Sequence, residues 1–350
     1  MSISHIITLL RLARHLGPWG DERDVMPICT EDIEVASTKL RLFVHPKRKH
    51  RHAIFLIPGL HFLGPDHQGI TRLAHVYANA GYIVGVPFLR DFIALQIKES
   101  VLKETKDTFE VFLSRCMDIK PMLMCISFGT LPALEIASHK KFRDRVGGVF
   151  TFGGYLDWRT TMEFCLFEEP LSQTTYPVIF KLLSPFWEGE VDIVSVDRAW
   201  NRYIHATWNI EEMENNESAR RGVAEELASH FSSEERQLFL QGCGLVSNWE
   251  ERARFAMKNS HHLDWLDNHE RVREMRSPLM AVHGAGDEIS PPSQSIDLVK
   301  AYSHSDWAQA FVTGLYGHSR QNVLQGIKAQ FSEANTMLGI VRGILRLSTS

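Results

Sequence analysis

Cysteine is scarce in this chain: Cys29, Cys116, Cys125, Cys165 and Cys243 are scattered, and no two form a C-x-x-C pair. That excludes a disulfide framework and a zinc ribbon, and it suits a reducing compartment. Excess charge is also missing. The formal net charge is −4 over 350 residues, without the clustered Lys and Arg that phosphate backbones demand, so no nucleic acid is expected. No apolar run approaches the roughly 18 residues that a membrane span needs. The opening stretch from Ser2 to Leu16 carries Ile3, Ile6, Ile7, Leu9, Leu10 and Leu12, but Arg11 and Arg14 interrupt it before a secretory core reaches useful length. It reads as a helix packed on the body of the protein, with a transit peptide or an interfacial helix touching a membrane as the alternatives. A cytoplasmic location follows as the expectation. Internal repeats and low-complexity tracts are absent as well.

What is present is the composition of an ordinary globular protein, 44% apolar and 23% charged. Alternation at Ile33 to Ala36 and Lys39 to His45 predicts an antiparallel opening pair of strands, closed by a solvated basic turn at Lys47 to His52. Short apolar runs at Ala53 to Ile57, Tyr82 to Val86, Met122 to Ile126, Val146 to Phe152 and Leu279 to His283 read as strands of a buried sheet, and Ala308 to Thr313 as a further strand. Between them, helical periodicity marks Ile70 to Ala80, Ser100 to Cys116, Phe128 to Ser138, Pro292 to Tyr302 and a last helix from about Gln321 to Leu345. Alternation of this kind predicts an α/β fold with a mostly parallel central sheet flanked by helices. The alternation stops between Tyr155 and Arg276, where the chain is helix-prone and carries Trp158, Trp187, Trp200, Trp208, Trp249 and Trp265. The expected organisation is an N-terminal helix and lead-in over 1–32, a core from 33–154 and 277–350, and a helical cap inserted after the sixth strand over 155–276.

Chemistry concentrates at three loops. Cys125-Ile126-Ser127-Phe128-Gly129 runs from a strand straight into a helix, a turn that lifts a serine hydroxyl off the sheet and sets it at a helix N-terminus. Leu279 to His283 is followed by Gly284-Ala285-Gly286-Asp287, which presents an aspartate at the strand's C-terminal edge, where open α/β sheets bind ligands. Leu315-Tyr316-Gly317-His318-Ser319 follows the next strand and sets a histidine in a loop. Serine needs a neutral imidazole to accept its proton, and the imidazole needs a carboxylate to fix its tautomer. The order Ser127, Asp287, His318 meets that need. Pro58-Gly59-Leu60-His61 follows the first buried strand, so the backbone N–H groups of Leu60 and Phe128 could hold a developing oxyanion, at roughly 3–4 kcal/mol per donor.

These segments resemble the α/β-hydrolase superfamily, and more loosely its esterase, lipase and peptidase branches with an inserted cap. The resemblance spans about residues 33 to 345 apart from the cap. It implies Ser127 as nucleophile, Asp287 as acid, His318 as base, and Leu60 and Phe128 as oxyanion donors. Two departures stand out: Cys125 replaces the first glycine of G-x-S-x-G, and Pro-Gly-Leu-His stands where many members have His-Gly, which leaves Leu60 and His61 both eligible as the amide donor.

The expected activity is that of a serine hydrolase, first of carboxylic esters (EC 3.1.1 class), through an acyl-enzyme. Acyl transfer on the same scaffold and a non-catalytic small-ligand-binding protein are the alternatives. The expected partner is a small acyl substrate with an apolar portion; nothing in the sequence indicates an oligomeric state. His261, His262, Asp264, Asp267 and His269 match no closed zinc spacing and, beside Glu270, Arg271 and Arg273, read as a polar helix face, so no metal is assigned. Gly147-Gly148 and Gly153-Gly154 lack the spacing of a dinucleotide fingerprint, and no cofactor is implied. Cys125, on the strand side of the turn, is expected to be buried and inert.

Overall fold

Short apolar runs have to hide both faces, and one parallel sheet covered on both sides does this for five of the six, while Ala308–Thr313 lies at the sheet edge and is mostly half-buried or exposed. The computed structural model describes residues 28–36, 38–168, 173–186, 193–208, 210–214, 216–302, 307–315 and 327–348. Its strands are β1 (Cys29–Val35), β2 (Thr38–Val44), β3 (His52–Ile57), β4 (Tyr82–Pro87), β5 (Met122–Ile126), β6 (Gly148–Phe152), β7 (Leu279–Gly284) and β8 (Ala308–Thr313). They form one sheet in the order β1-β2-β4-β3-β5-β6-β7-β8. β1 and β2 are the antiparallel pair expected from their alternation, β2 runs antiparallel to β4, and the remaining neighbours are parallel.

Period-two patterning divides each buried strand between two cores. Along β3, Ala53, Phe55 and Ile57 face one side while Ile54 and Leu56 face the other; Leu123 and Cys125 of β5 oppose Met122 and Met124 in the same way. The first face is covered by α2 (Ser100–Arg115), α3 (Thr130–Ser138) and α11 (Ser293–Ala301), with α10 (His269–Glu274) adding Val272. The second is covered by α1 (Gln68–Ala80) and α12 (Ile327–Leu347). Every residue of β3 is buried, and each large apolar side chain taken out of water there contributes about 1.5–3 kcal/mol.

Local signals end the elements where the sequence places them. Gly81, at φ 102°, terminates α1 in the left-handed region that glycine enters without cost. The helix expected from Phe128 instead opens with a tight 3-10 turn over Ser127–Gly129 before α3 begins at Thr130. The N-terminal helix expected before residue 28, and the start of the last helix at Gln321, lie outside the described residues.

The described residues divide into two compact units, the first holding the sheet and the second made of Trp158–Leu266 together with Ala94–Ile97. The second unit contains α4 (Trp158–Phe167), α5 (Tyr176–Leu183), α6 (Ile193–Thr207), α7 (Glu217–Leu227), α8 (Ser233–Gly242) and α9 (Trp249–Asn259). Its aromatics are its own core. Trp158, Trp200 and Trp249 are buried, Trp200 donates its indole N–H to Phe239 O at 3.1 Å, and Trp249 lies 4.9 Å from the Tyr176 ring. Among the described residues no helix is long and apolar enough to cross a membrane.

Candidate active site

The chain leaves β3 for β4 on one side of the sheet and later enters β5 on the other side of β3. The loops after β3 and β5 therefore diverge at a topological switch point, where open α/β sheets leave a crevice. Register makes this concrete, because Ile57 pairs with Cys125, so Pro58-Gly59-Leu60 and Ile126-Ser127-Phe128 leave the sheet side by side.

Ser127 is held in an uncommon conformation. Its φ is +51°, a region that costs a non-glycine residue roughly 1–2 kcal/mol. Two glycines make the turn sterically feasible. A Cβ on Gly59 would stand 3.0 Å from Ile126 O and 3.2 Å from Ser127 Cβ, and a Cβ on Gly129 would stand 2.8 Å from both Ile57 O and Pro58 O. The strained serine is thus clamped between β3 and the start of α3. Leu60 and Phe128 sit on either side of this junction; among the described residues no loop or turn bond takes up the Leu60 amide. His61 is engaged by its own turn, with Nδ1 accepting from Leu63 N at 3.1 Å and the ring stacked 4.4 Å from Phe62.

Asp287 lies in the loop after β7 and is 3% exposed. Its Oδ1 accepts from Ile289 N and Ser290 N, each at 2.9 Å. Its Oδ2 stands 3.2 Å from Nε2 of His283, and both side chains are fully buried. His283 was not anticipated as a site residue; the signal available was its place on an apolar strand directly before a glycine loop that ends in an aspartate. Glu288, the neighbouring acid, is only half-buried.

His318 lies outside the described residues. The strand leading toward it is described. Ile126, Phe152, Val282 and Phe311 share one row across β5, β6, β7 and β8, so the three candidate segments follow parallel strands at one edge, Ser127 and the β7 exit two strands or about 10 Å apart. The exits of β7 and β8 are joined by Ala285 N donating to Thr313 O at 2.8 Å. Glu333 of α12 then accepts from the Thr313 hydroxyl at 2.8 Å and from Gly314 N at 2.7 Å.

No model of a known family matches the chain, and no curated protein matches it either. Solved structures do. The uncomplexed acylaminoacyl peptidase of Pyrococcus horikoshii is similar with a TM-score of 0.51 at 12% identity, over 93% of this chain and 43% of that one. An acylaminoacyl peptidase in complex with Z-Gly-Gly-Phe-chloromethyl ketone gives 0.51 at 11%, again over 93% and 43%. This chain has the α/β-hydrolase fold. It spans less than half the length of those two peptidases.

The departure at Cys125 has a local explanation within that fold. Cys125 is fully buried, its Sγ lying 3.3 Å from Phe150 O and 3.8 Å from the Thr130 hydroxyl. The space beside the β5 end thus holds a thiol where glycine would leave it open, and burial pushes that thiol up to about 12.

The polar stretch near residue 265 differs from the continuous helix face expected of it. It breaks into a 3-10 turn over His261–Leu266 and the short helix α10. The break occurs because Asn268 turns inward, donating from its backbone N to Leu156 O at 2.9 Å and from Nδ2 to Tyr155 O at 3.0 Å. Asp157, Asp267 and His269 then bring one potential ligand atom each within 4.8 Å of one another. His269 Nδ1 already stands 3.2 Å from the Asp267 carboxylate, so the group is read as a polar contact and no cation is assigned to it.

Proposed function

We propose that this protein is a serine hydrolase of carboxylic esters, acting through an acyl-enzyme on Ser127. The observation that carries the proposal is the conformation of Ser127. A half-buried turn has no structural need for a serine at φ +51°, where glycine would fit without strain, and such strain persists where a side chain must be presented. The clamping glycines at 59 and 129, the switch-point location and the buried carboxylate of Asp287 support the same reading.

In this mechanism His318 takes the hydroxyl proton as Ser127 attacks the ester carbonyl, and Asp287 holds the imidazole in the productive tautomer. The amides of Leu60 and Phe128 receive the oxyanion. His318 then returns the proton to the departing alcohol, and water attacks the acyl-enzyme by the same route. A substrate with an apolar acyl portion is the expected class.

The test is covalent labelling by a fluorophosphonate, which reacts at useful rates only with an activated serine. Labelling of the wild type at Ser127, lost in Ser127→Ala and in His318→Ala, is the expected result. A wild-type protein that resists the probe would refute the proposal.

A further inference from the structure

His283 has an environment that the triad by itself does not account for. It is fully buried at the next-to-last position of β7, and every polar atom of its ring is engaged. Nε2 stands 2.9 Å from Ser290 O and 3.2 Å from Asp287 Oδ2, while Nδ1 stands 2.8 Å from the Ser295 hydroxyl on α11. A carbonyl oxygen can only accept, so Nε2 carries a proton. In the neutral ring Nδ1 is then the acceptor, and the Ser295 hydroxyl donates to it. The single Nε2–H faces two acceptors, the Ser290 carbonyl and the outer oxygen of the carboxylate.

We propose that His283 is a positioning residue for catalysis: it holds the Asp287 carboxylate in the orientation that serves the base, with Ser295 setting the tautomer that makes this hold work. This rests on the assignment of Asp287 as the acid. The two carboxylate oxygens divide the task. Oδ1 is fixed by two backbone amides of its own loop, which anchors the carboxylate but leaves rotation about that anchor to be set by whatever meets Oδ2. His283 meets Oδ2 from the rigid sheet, and α11 braces the ring from behind. The neighbour of Ser295 extends the brace: Gln294 Oε1 accepts from Leu156 N and Asp157 N, both at 2.9 Å, tying the exit of β6 to the same helix start.

The test compares wild type, His283→Phe, His283→Gln and Ser295→Ala for kcat and KM on a p-nitrophenyl ester, fluorophosphonate labelling rate and unfolding midpoint. Phenylalanine keeps the ring shape and removes the donor, and kcat should fall on the order of 10²-fold with KM within about twofold, the loss expected of a misplaced group. Glutamine can put an amide N–H close to the Nε2 position, and it should recover kcat to within about tenfold of wild type. Ser295→Ala leaves the ring but releases its tautomer, and it should cost several-fold in kcat. If His283→Phe does not fold, the glutamine and Ser295 variants carry the test. A folded phenylalanine variant with wild-type kcat would overturn the inference, as would glutamine no better than phenylalanine or losses confined to KM. A wild type that is not labelled at Ser127 would instead refute the hydrolase reading, and the role of His283 with it.

Discussion

Gly129→Ala adds a single carbon at the most crowded point of the nucleophile turn. Conformation is no obstacle, since Gly129 has φ −60° and ψ −15°, but at the N-cap of α3 alanine brings none of the propensity gain it would have inside a helix. Space is the obstacle. The new Cβ would meet Ile57 O and Pro58 O at 2.8 Å, where ordinary carbon to oxygen contact begins near 3.4 Å, an overlap of roughly 0.6 Å with each. Neither oxygen belongs to a flexible side chain. Both are main-chain atoms at the end of β3, whose residues are all buried, so α3 has to move away from the strand and carry Ser127 and the Phe128 amide with it. Overpacking of this kind costs about 1–3 kcal/mol, and no propensity gain offsets it. We expect Gly129→Ala to be less stable by about 1–2 kcal/mol in urea denaturation, and its fluorophosphonate labelling at Ser127 to slow on the order of 10²-fold. An alanine variant at least as stable as wild type and labelled at the wild-type rate would refute the reasoning, because it would show that the helix can leave the strand without cost.

Asp287→Asn should fold and lose several orders of magnitude in ester hydrolysis, on the order of 10⁴, while Glu288→Gln stays near wild type; the reverse result, read from kcat on the two variants, would move the acid by one residue. Cysteine titration should give one rapid equivalent in the native protein at pH 8, at the exposed Cys29, since Cys116, Cys125, Cys165 and Cys243 are buried; burial holds the Cys125 thiol at about 12, leaving almost no thiolate there. Rapid native modification of Cys125 would contradict that placement. Glu135 joins α3 to its surroundings through Lys106 at 2.9 Å and Arg271 at 3.0 Å; burial raises its pKa, but the bonds from these two cations outweigh it and hold the group below the usual carboxylate range. A depressed carboxylate contributes stability above its unfolded value of about 4.3, lost as pH falls through the lower folded value. Glu135→Gln should therefore cost at most about 1 kcal/mol at pH 7, the pair being partly solvated, and the difference from wild type should shrink on acidification; a gap that widens toward pH 3 would reverse the sign.

The amino-acid sequence by itself determined the strands and the candidate residues, because both are written in local chemistry. Met122–Ile126 and Ala308–Thr313 are bounded as their apolar runs predict, and Gly81 ends its helix where a left-handed residue is needed. The Ser127, Asp287, His318 order was legible for the same reason, each residue following a strand that periodicity marks. Strand order was not legible. Only pairing in space decides that β3 lies between β4 and β5 and that the loops at Gly59 and Ser127 therefore touch. The break of the polar stretch at Asn268 was hidden too, because its cause is a bond to the carbonyl of Tyr155, more than a hundred positions away. His283 was missed for a related reason: on an apolar strand a buried histidine looks like core, and nothing in its neighbours reveals that α11 supplies Ser295 behind the ring while the loop folds Asp287 back in front of it. Periodicity reports which face of an element is buried. What meets that face, and whether the meeting sets a side chain to work on another, is decided by contacts between segments far apart in the chain, and those exist only once the sheet has closed its order.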